Sequence, residues 1–581
     1  MSAVAHGIPR HSEARSLIPS SSREEMDTAV EAVSAARSAW AAVSATDRAR
    51  ILGRLQRDFA SVAERWVAAS AEAKGIPAGS DAVAEEWIAG PYLVQRNIRL
   101  LREALEGIAR HGAPRIPGPV WTRPDGGVAA GVFPASVWDR LFYAGVTAEI
   151  WMEPGVTAED ATRTQAWAYR DPSRRCDVCL VLGAGNVSSI GPMDALYKLF
   201  VENRVVVYKA HPVNAYLGPL LAEAFRSLTE IGALRIVYGT AAEGAYLCEH
   251  ALVDEIHLTG SDKTYESIVF GPGAEGERRK QERRPALTKP VTAELGNISP
   301  VIVVPGPWSA SDFRYQAANL VSMLTNNAGF NCNSARVILT DAGWPGRQRL
   351  MDEVRSLLAR VPTRKAYYPG AAARAAQFAA AHPEAERFGP ASEGVLPWTL
   401  VAGMTARKSA DPCYTTEAFC GLFAETALEP SGVADFLPRA VEFCNEVLWG
   451  SLNATILIHP RSVEEAARHG TLEQAIADLR YGSVSLNHWA AINYALGVTT
   501  WGAYPGHTPD DIQSGTGVVH NTLMFSRPEK SVVRAPFRVR PTPPWFVTNR
   551  AATTVAPRLA AFEAGPSPLK ALGVIAAASR G

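Results

Sequence analysis

Between residues 175 and 261 the chain repeats one unit, an apolar run of strand length followed by a segment of helix length. Val178–Leu182 reads as a strand, 193–200 as a helix, 205–208 as a strand, 216–228 as a helix, Leu234–Val237 as a strand and 256–258 as another. Nearly continuous apolar strands alternating with helices predict a parallel, doubly wound sheet, because parallel strands need crossover helices that cover both faces. Ligands of such sheets bind beyond the carboxyl ends of the strands. Asn186, Lys209, Gly239 and Gly260 fall at those ends.

A second α/β series starts at 298–304, continues through a helix at 317–325 and reaches a strand at 337–339, with further strands at 453–458 and 482–486. Ahead of both series, Asp27 is placed to cap a helix through Val30, Val33, Ala36 and Trp40. A second helix carries Leu52, Leu55, Phe59, Val62 and Trp66 on one face, at three-four spacing. Residues 112–154 are rich in Pro, Gly and aromatics and read as an extended arm or a substrate-facing insertion. The Pro-rich tail past Ser526 holds one candidate pairing strand at 531–534.

A chain of 581 residues exceeds one hydrophobic core, so two or three domains are expected. Its 58 basic and 58 acidic residues cancel, which removes the electrostatic argument for nucleic acid or an anionic membrane and leaves a small molecule as the expected partner. Residues 1–22 lack the apolar block of a secretory signal, and no run reaches the roughly 18 apolar residues of a membrane span. A cytoplasmic protein is expected, and seven scattered cysteines fit reduced thiols. Cys176 and Cys179 form a C-x-x-C inside an apolar strand with no second pair close in sequence, so no metal site is expected.

Taken singly, the chemical signals are weak. Gly183-Ala184-Gly185 lacks the third glycine of a dinucleotide fingerprint, and Gly239 with Gly244 has the spacing of a phosphate loop without the Lys-Ser/Thr that completes it. Their order is more specific. Leu182-Gly183-Ala184-Gly185-Asn186 with Val205 to Lys209, Leu258-Thr259-Gly260-Ser261, Glu294-Leu295-Gly296-Asn297-Ile298-Ser299-Pro300, Asn327-Ala328-Gly329-Phe330-Asn331-Cys332, Glu417-Ala418-Phe419 and Ser514-Gly515-Thr516-Gly517 follow one another along the chain. In these segments the sequence resembles the NAD(P)-dependent aldehyde dehydrogenase superfamily, from the N-terminal helices to about residue 521.

The resemblance implies an aldehyde dehydrogenase-like α/β fold of two doubly wound domains plus a small oligomerisation arm. The NAD(P)-binding domain is expected at 20–111 and 159–293, the catalytic domain at 294–490, and the arm with a C-terminal extension at 112–158 and 526–581. It implies that Cys332 attacks an aldehyde as thiolate and that the Asn186 amide and the Cys332 backbone N–H hold the oxyanion. Glu294 then activates the water that hydrolyses the thioester. Lys209 would meet the adenosine ribose of NAD or NADP, Ser261 the diphosphate at a helix start, Glu417 the nicotinamide ribose and Phe419 the nicotinamide, with Gly239, Gly244 and Gly260 lining the cofactor. A homodimer or homotetramer is implied as well.

The sequence also departs from the family pattern. Phe330 replaces a glutamine, Asn297 a second glycine, Cys420-Gly421 a Gly-Pro, and Pro212 the glutamate of NAD-preferring members, which leaves NADP open, with His211 near enough to meet its phosphate. An acyl-CoA reductase or CoA-acylating dehydrogenase on the same fold, and a non-catalytic member, are the alternative readings. Phe330, Trp489, Tyr494 and Trp501 suggest a bulky or apolar aldehyde.

Overall fold

The computed structural model describes residues 18–171, 176–406, 410–430 and 432–581. The first 17 residues of the polar lead, read above as lacking a signal, lie outside them. Among the described residues no helix is long and apolar enough to cross a membrane.

The first α/β series forms a six-stranded sheet. Its order is Gly515–Thr516, Val291–Glu294, Glu255–Thr259, Val178–Leu182, Val205–Lys209, Leu234–Val237, parallel except for the first pair. Counted along the chain from Val178–Leu182, the parallel strands lie in the order 5-4-1-2-3. Connections therefore depart in opposite directions from Val178–Leu182 and Glu255–Thr259, opening a crevice beyond their carboxyl ends. Asn186 follows one of these strands, and Gly260 and Ser261 follow the other.

The strand bounds read from the sequence match to within a residue at either end because apolar residues dominate the segments; Val178–Leu182 and Val205–Lys209 are buried along their whole length. The helix expected at 216–228 is instead a 3-10 turn at Pro212–Leu217 followed by short helices at Gly218–Ala224 and Arg226–Glu230. Phe225, at φ −102° and ψ 19°, interrupts it. The first N-terminal helix is Arg23–Ala41, and its cap is Ser22, not Asp27. Ser22 Oγ accepts from the Glu25 N–H while Glu25 accepts from the Ser22 N–H, a reciprocal pair that satisfies two end donors at once. Asp27 lies inside that helix and accepts from the Tyr246 hydroxyl. The second helix, Ala45–Ala73, buries Leu52, Leu55, Phe59, Val62 and Trp66 as its spacing predicts.

The larger sheet has eleven strands. Its parallel part runs Pro528–Arg534, Ser483–Leu486, Asn453–Leu457, Ser299–Val303, Ala335–Asp341, Leu422–Leu428, Trp398–Thr405, and Glu386–Phe388 closes it antiparallel. At the other edge Val120–Thr122, Val128–Phe133 and Thr147–Met152 extend it, with Thr147–Met152 antiparallel to Pro528–Arg534. The arm segment thus completes the chain's own sheet. Beyond Arg534, the helix Ala552–Glu563 buries Glu563, whose carboxylate pairs with Arg96 at 2.8 Å and Arg99 at 2.6 Å, while Arg96 also pairs with Asp139 at 2.9 Å.

Candidate active site

The carboxyl ends of the smaller sheet meet the amino ends of the larger one. Glu294 ends the strand Val291–Glu294, and Cys332 precedes Ala335–Asp341. Thirty-eight positions apart in sequence, they meet with Cys332 Sγ 3.6 Å from Glu294 Oε1, the thiol donating. The same oxygen accepts from Trp501 Nε1 at 2.7 Å. Glu294 Oε2 is buried without a partner.

Burial pushes the Glu294 carboxyl up to about 8, with Asp194 adding to the rise and the Trp501 and Cys332 hydrogen bonds opposing it. The Cys332 thiol is held well above its ordinary value by burial and by the nearby Glu294 and Glu417 carboxylates. The resting pair at neutral pH is therefore a thiol beside a largely protonated carboxyl. An acid near 8 is well matched to exchanging protons at physiological pH.

The loop that carries Cys332 is conformationally demanding. Asn327, Ala328 and Gly329 all have positive φ, at 51°, 55° and 80°, and such backbone costs about 1 to 3 kcal/mol per non-glycine residue unless partners fix it. The partners are present. The Asn327 N–H donates to Glu85 Oε2 at 2.8 Å, and its Oδ1 accepts from Lys74 Nζ at 3.0 Å and Tyr367 Oη at 2.9 Å. Lys74 is itself paired with Glu86 at 2.9 Å in the interior. A Cβ on Gly329 would lie 2.6 Å from the Cys420 carbonyl oxygen, so only glycine fits there. Arg336 donates to the carbonyls of Gly329 and Cys420, each at 2.6 Å, and so joins this loop to the segment after Glu417.

Asn186 Nδ2 donates to the Phe330 carbonyl at 2.9 Å, and the Asn186 main-chain carbonyl accepts from Asn327 Nδ2 at 2.9 Å and Tyr367 Oη at 2.8 Å. One of the two amide hydrogens thus anchors the Cys332 loop. Ser299 Oγ and Asn453 Nδ2 both reach the Cys332 carbonyl, at 3.2 Å and 3.4 Å.

Glu417 faces the same junction. Burial, opposed by Arg336, pushes its carboxyl up to about 7. Its Oε1 is buried and unpartnered, and a Cβ on Gly296 would sit 2.0 Å from its Oε2. Gly296 is thus the cradle of this carboxylate. Asn297, the departure beside it, is buried and structural, with Nδ2 donating to Asn453 O at 2.9 Å and Ser299 Oγ at 3.1 Å.

Among the expected cofactor residues, Lys209 Nζ donates to the Gly239 carbonyl at 2.6 Å and Gly244 packs against the Lys209 side chain, which brings these three together. Burial draws the Lys209 ammonium down to about 8. Ser261 caps the helix Asp262–Phe270 by accepting from the Thr264 N–H at 3.1 Å, and the Gly260 N–H donates to the Glu294 carbonyl at 3.0 Å. Phe419, at φ 41°, packs on Tyr368 and Phe330 with ring centroids 4.9 Å and 5.9 Å away. The His211 ring fills the space left by Gly185 and stacks on Tyr368. Burial, with Lys209 adding to it, lowers this imidazole to about 4.

Sequence reasoning did not single out Lys74, Glu85, Glu86, Arg336 or Tyr367, and Trp501 was read only as a pocket aromatic. Arg336 carried a signal, a charge at the head of the apolar strand Ala335–Asp341. Trp501 carried another, because an indole N–H placed in a core needs an acceptor. Lys74 and its two carboxylates carried none. Of the other aromatics, Trp489 donates to the Asn333 carbonyl at 2.7 Å, and Tyr494 packs edge-on against Trp501 at 5.6 Å.

The aldehyde dehydrogenase family model matches residues 143–387. The 4-trimethylaminobutyraldehyde dehydrogenase of Rattus norvegicus is 28% identical over 208 residues, covering 35% of this chain and 37% of that protein. Its Bos taurus counterpart is 30% identical over 166 residues, covering 28% and 30%. The matched region thus spans about a third of the length of these curated relatives. Among solved structures, an NAD-dependent aldehyde dehydrogenase from Sinorhizobium meliloti superposes with a TM-score of 0.57 at 18% identity, covering 90% of this chain and 89% of that one. The NADP-dependent glyceraldehyde-3-phosphate dehydrogenase of Bacillus halodurans, complexed with NADP, gives 0.57 at 18%, covering 89% and 92%.

Proposed function

Because the chain belongs to the aldehyde dehydrogenase superfamily, we propose that it oxidises an aldehyde to a carboxylic acid with NAD or NADP, through a thioester on Cys332 that Glu294 helps hydrolyse. The observation that carries this reading is the direct contact of Cys332 Sγ with Glu294 Oε1 at 3.6 Å, where the larger sheet meets the smaller.

The residues at the junction fit a dinucleotide. Glu417 keeps Oε1 buried and unpartnered, suited to a ribose hydroxyl donor, while its Oε2 lies over the Gly296 cradle. Lys209 ends a strand beside Gly239 and Gly244, and Ser261 opens a helix whose first N–H groups suit a diphosphate. When bound, the nicotinamide supplies the hydride acceptor. Pro212 supplies no carboxylate to repel a 2′-phosphate, so both cofactors fit this reading.

Ionised Glu294 takes the Cys332 proton as the sulfur attacks the aldehyde carbon. The Asn186 amide and the Cys332 N–H hold the resulting oxyanion. After hydride leaves that carbon, the thioester remains on Cys332. Glu294, having released its first proton, takes one from the attacking water; the carboxylic acid departs and the sulfur recovers its proton. Trp501 keeps Oε1 of the carboxylate turned toward the sulfur throughout.

A panel of aldehydes assayed for NADH and NADPH formation, with and without coenzyme A, tests the reading. Turnover without coenzyme A is the expected result. Strict dependence on coenzyme A would assign acyl transfer to a thiol in place of hydrolysis.

A further inference from the structure

The Cys332 loop is held from outside both sheets. The long helix Ala45–Ala73 is capped by Lys74, and Glu86 lies in the short helix Val83–Trp87 that follows. Lys74 Nζ donates to both Glu86 oxygens, at 2.9 Å and 3.0 Å, and both side chains are buried. An ammonium has three hydrogens and accepts nothing, and the third polar contact of Lys74 is Asn327 Oδ1 at 3.0 Å. The preceding glutamate, Glu85, pairs with Arg364 and accepts from the Asn327 N–H at 2.8 Å. Two ion pairs built on consecutive glutamates therefore grip one loop residue, one at its main chain and the other at its side chain.

Asn327 passes this grip on, because its amide has one accepting end and one donating end. At the accepting end stand Lys74 Nζ and the Tyr367 hydroxyl, at 3.0 Å and 2.9 Å. At the donating end Nδ2 reaches the Asn186 main-chain carbonyl at 2.9 Å, the Phe330 carbonyl at 3.3 Å and Asn331 Oδ1 at 3.0 Å. A half-turn of the amide would set its hydrogens against an ammonium that can only donate, and its oxygen against three acceptors. Lys74 and Tyr367 thus fix the polarity of Asn327, and Nδ2 in turn ties the Asn186 main chain to the two residues just ahead of Cys332. With Asn327 and Ala328 both at positive φ, the loop keeps its shape only while partners of this kind over-determine it.

We propose that Lys74 and Tyr367 are positioning residues for the centre formed by Cys332 and Asn186, and that Lys74 acts through the Asn327 amide. The N-terminal helices then do more than pack against the smaller sheet: the turn between Lys74 and Glu86 sets the geometry of the nucleophile loop. That this centre oxidises an aldehyde rests on the reading above; the coupling of Lys74 to the Cys332 loop does not.

The test compares the full chain with two variants. Tyr367→Phe removes one hydroxyl, and Lys74→Met joined to Glu86→Gln removes both charges together, so that neither is left buried alone. Each protein is read in two ways: the rate at which iodoacetamide alkylates Cys332, followed by peptide mass spectrometry without any substrate, and kcat and KM with an aldehyde and NAD(P). The alkylation rate should shift about fivefold or more as the surroundings of the thiol loosen. In both variants kcat should fall about 10- to 100-fold, the scale of a misplacement of up to about 1 Å, and in the ion-pair variant the cofactor KM should stay within about twofold. In an Asn327→Gly background, where glycine suits the φ of 51°, the ion-pair substitutions should add less than about twofold to either readout, because their route is gone. Should the ion-pair variant fail to fold, Tyr367→Phe decides alone. Alkylation and kcat both within about twofold of the unaltered protein in either folded variant would overturn the proposal, as would losses that add in full on Asn327→Gly. Alkylation that responds as expected in a protein that oxidises no aldehyde would uphold the positioning role and remove the reaction assigned to it.

Discussion

Replacing Trp501 by phenylalanine removes one N–H from Glu294 while keeping an aromatic ring in the core. The lost bond is 2.7 Å long, its donor is fully buried and its acceptor carries charge in the active form. Hydrogen bonds to charged groups contribute about 1.5 to 3 kcal/mol. At about 1.4 kcal/mol per pH unit, that loss raises the Glu294 midpoint, now about 8, by about one to two pH units. Near pH 7 the ionised fraction falls from about a tenth to between about a hundredth and a thousandth, so the hydrolytic step slows about 10- to 100-fold. Stopped-flow measurement of the first turnover and of the steady state across the pH range reads this directly. Steady-state kcat should rise with pH along a curve displaced upward in Trp501→Phe, and rates at high pH should converge with those of the unaltered enzyme. An unmoved midpoint would refute the claim that Trp501 tunes Glu294, and a uniform loss at every pH would point to misfolding instead.

Three other substitutions probe different parts of the account. Asn186→Ala removes an oxyanion donor, and kcat/KM should drop about 100- to 1,000-fold, with a change below about tenfold showing that the amide only anchors the loop. Gly296→Ala places a methyl 2.0 Å from Glu417 Oε2; overpacking of about 1 to 3 kcal/mol should weaken NAD(P) binding about 5- to 150-fold in a fluorescence titration while a thiol reagent still modifies Cys332. Glu563→Gln strips the buried countercharge shared by Arg96 and Arg99. Urea unfolding should show a loss of about 3 kcal/mol, and a loss under about 1 kcal/mol would mean that the C-terminal helix is not held by this network.

The sheets were legible where burial on both faces made a strand apolar, along its whole length at Val178–Leu182 and over Val337, Ile338 and Leu339 within Ala335–Asp341. Polar or mixed strands such as Trp398–Thr405, near the edge of the larger sheet, escaped notice because only part of their length is buried. Helix starts followed capping chemistry more closely than apolar spacing, which is why Ser22 with Glu25 outranked Asp27. Cys332, Glu294 and Asn186 stood out because each sits in a short ordered motif. Trp501 lies 207 positions from its acceptor and Lys74 253 positions from Asn327, and pairings that distant are set by how the two sheets dock, which no local pattern encodes.

The central claim is a covalent bond to one sulfur, broken by water that Glu294 activates. The most direct measurement is intact-protein and peptide mass spectrometry of Glu294→Gln mixed with an aldehyde substrate and oxidised cofactor. An acyl group should accumulate on Cys332, matched by a single burst of reduced cofactor. Continued turnover without any adduct, or an adduct on another residue, would contradict it.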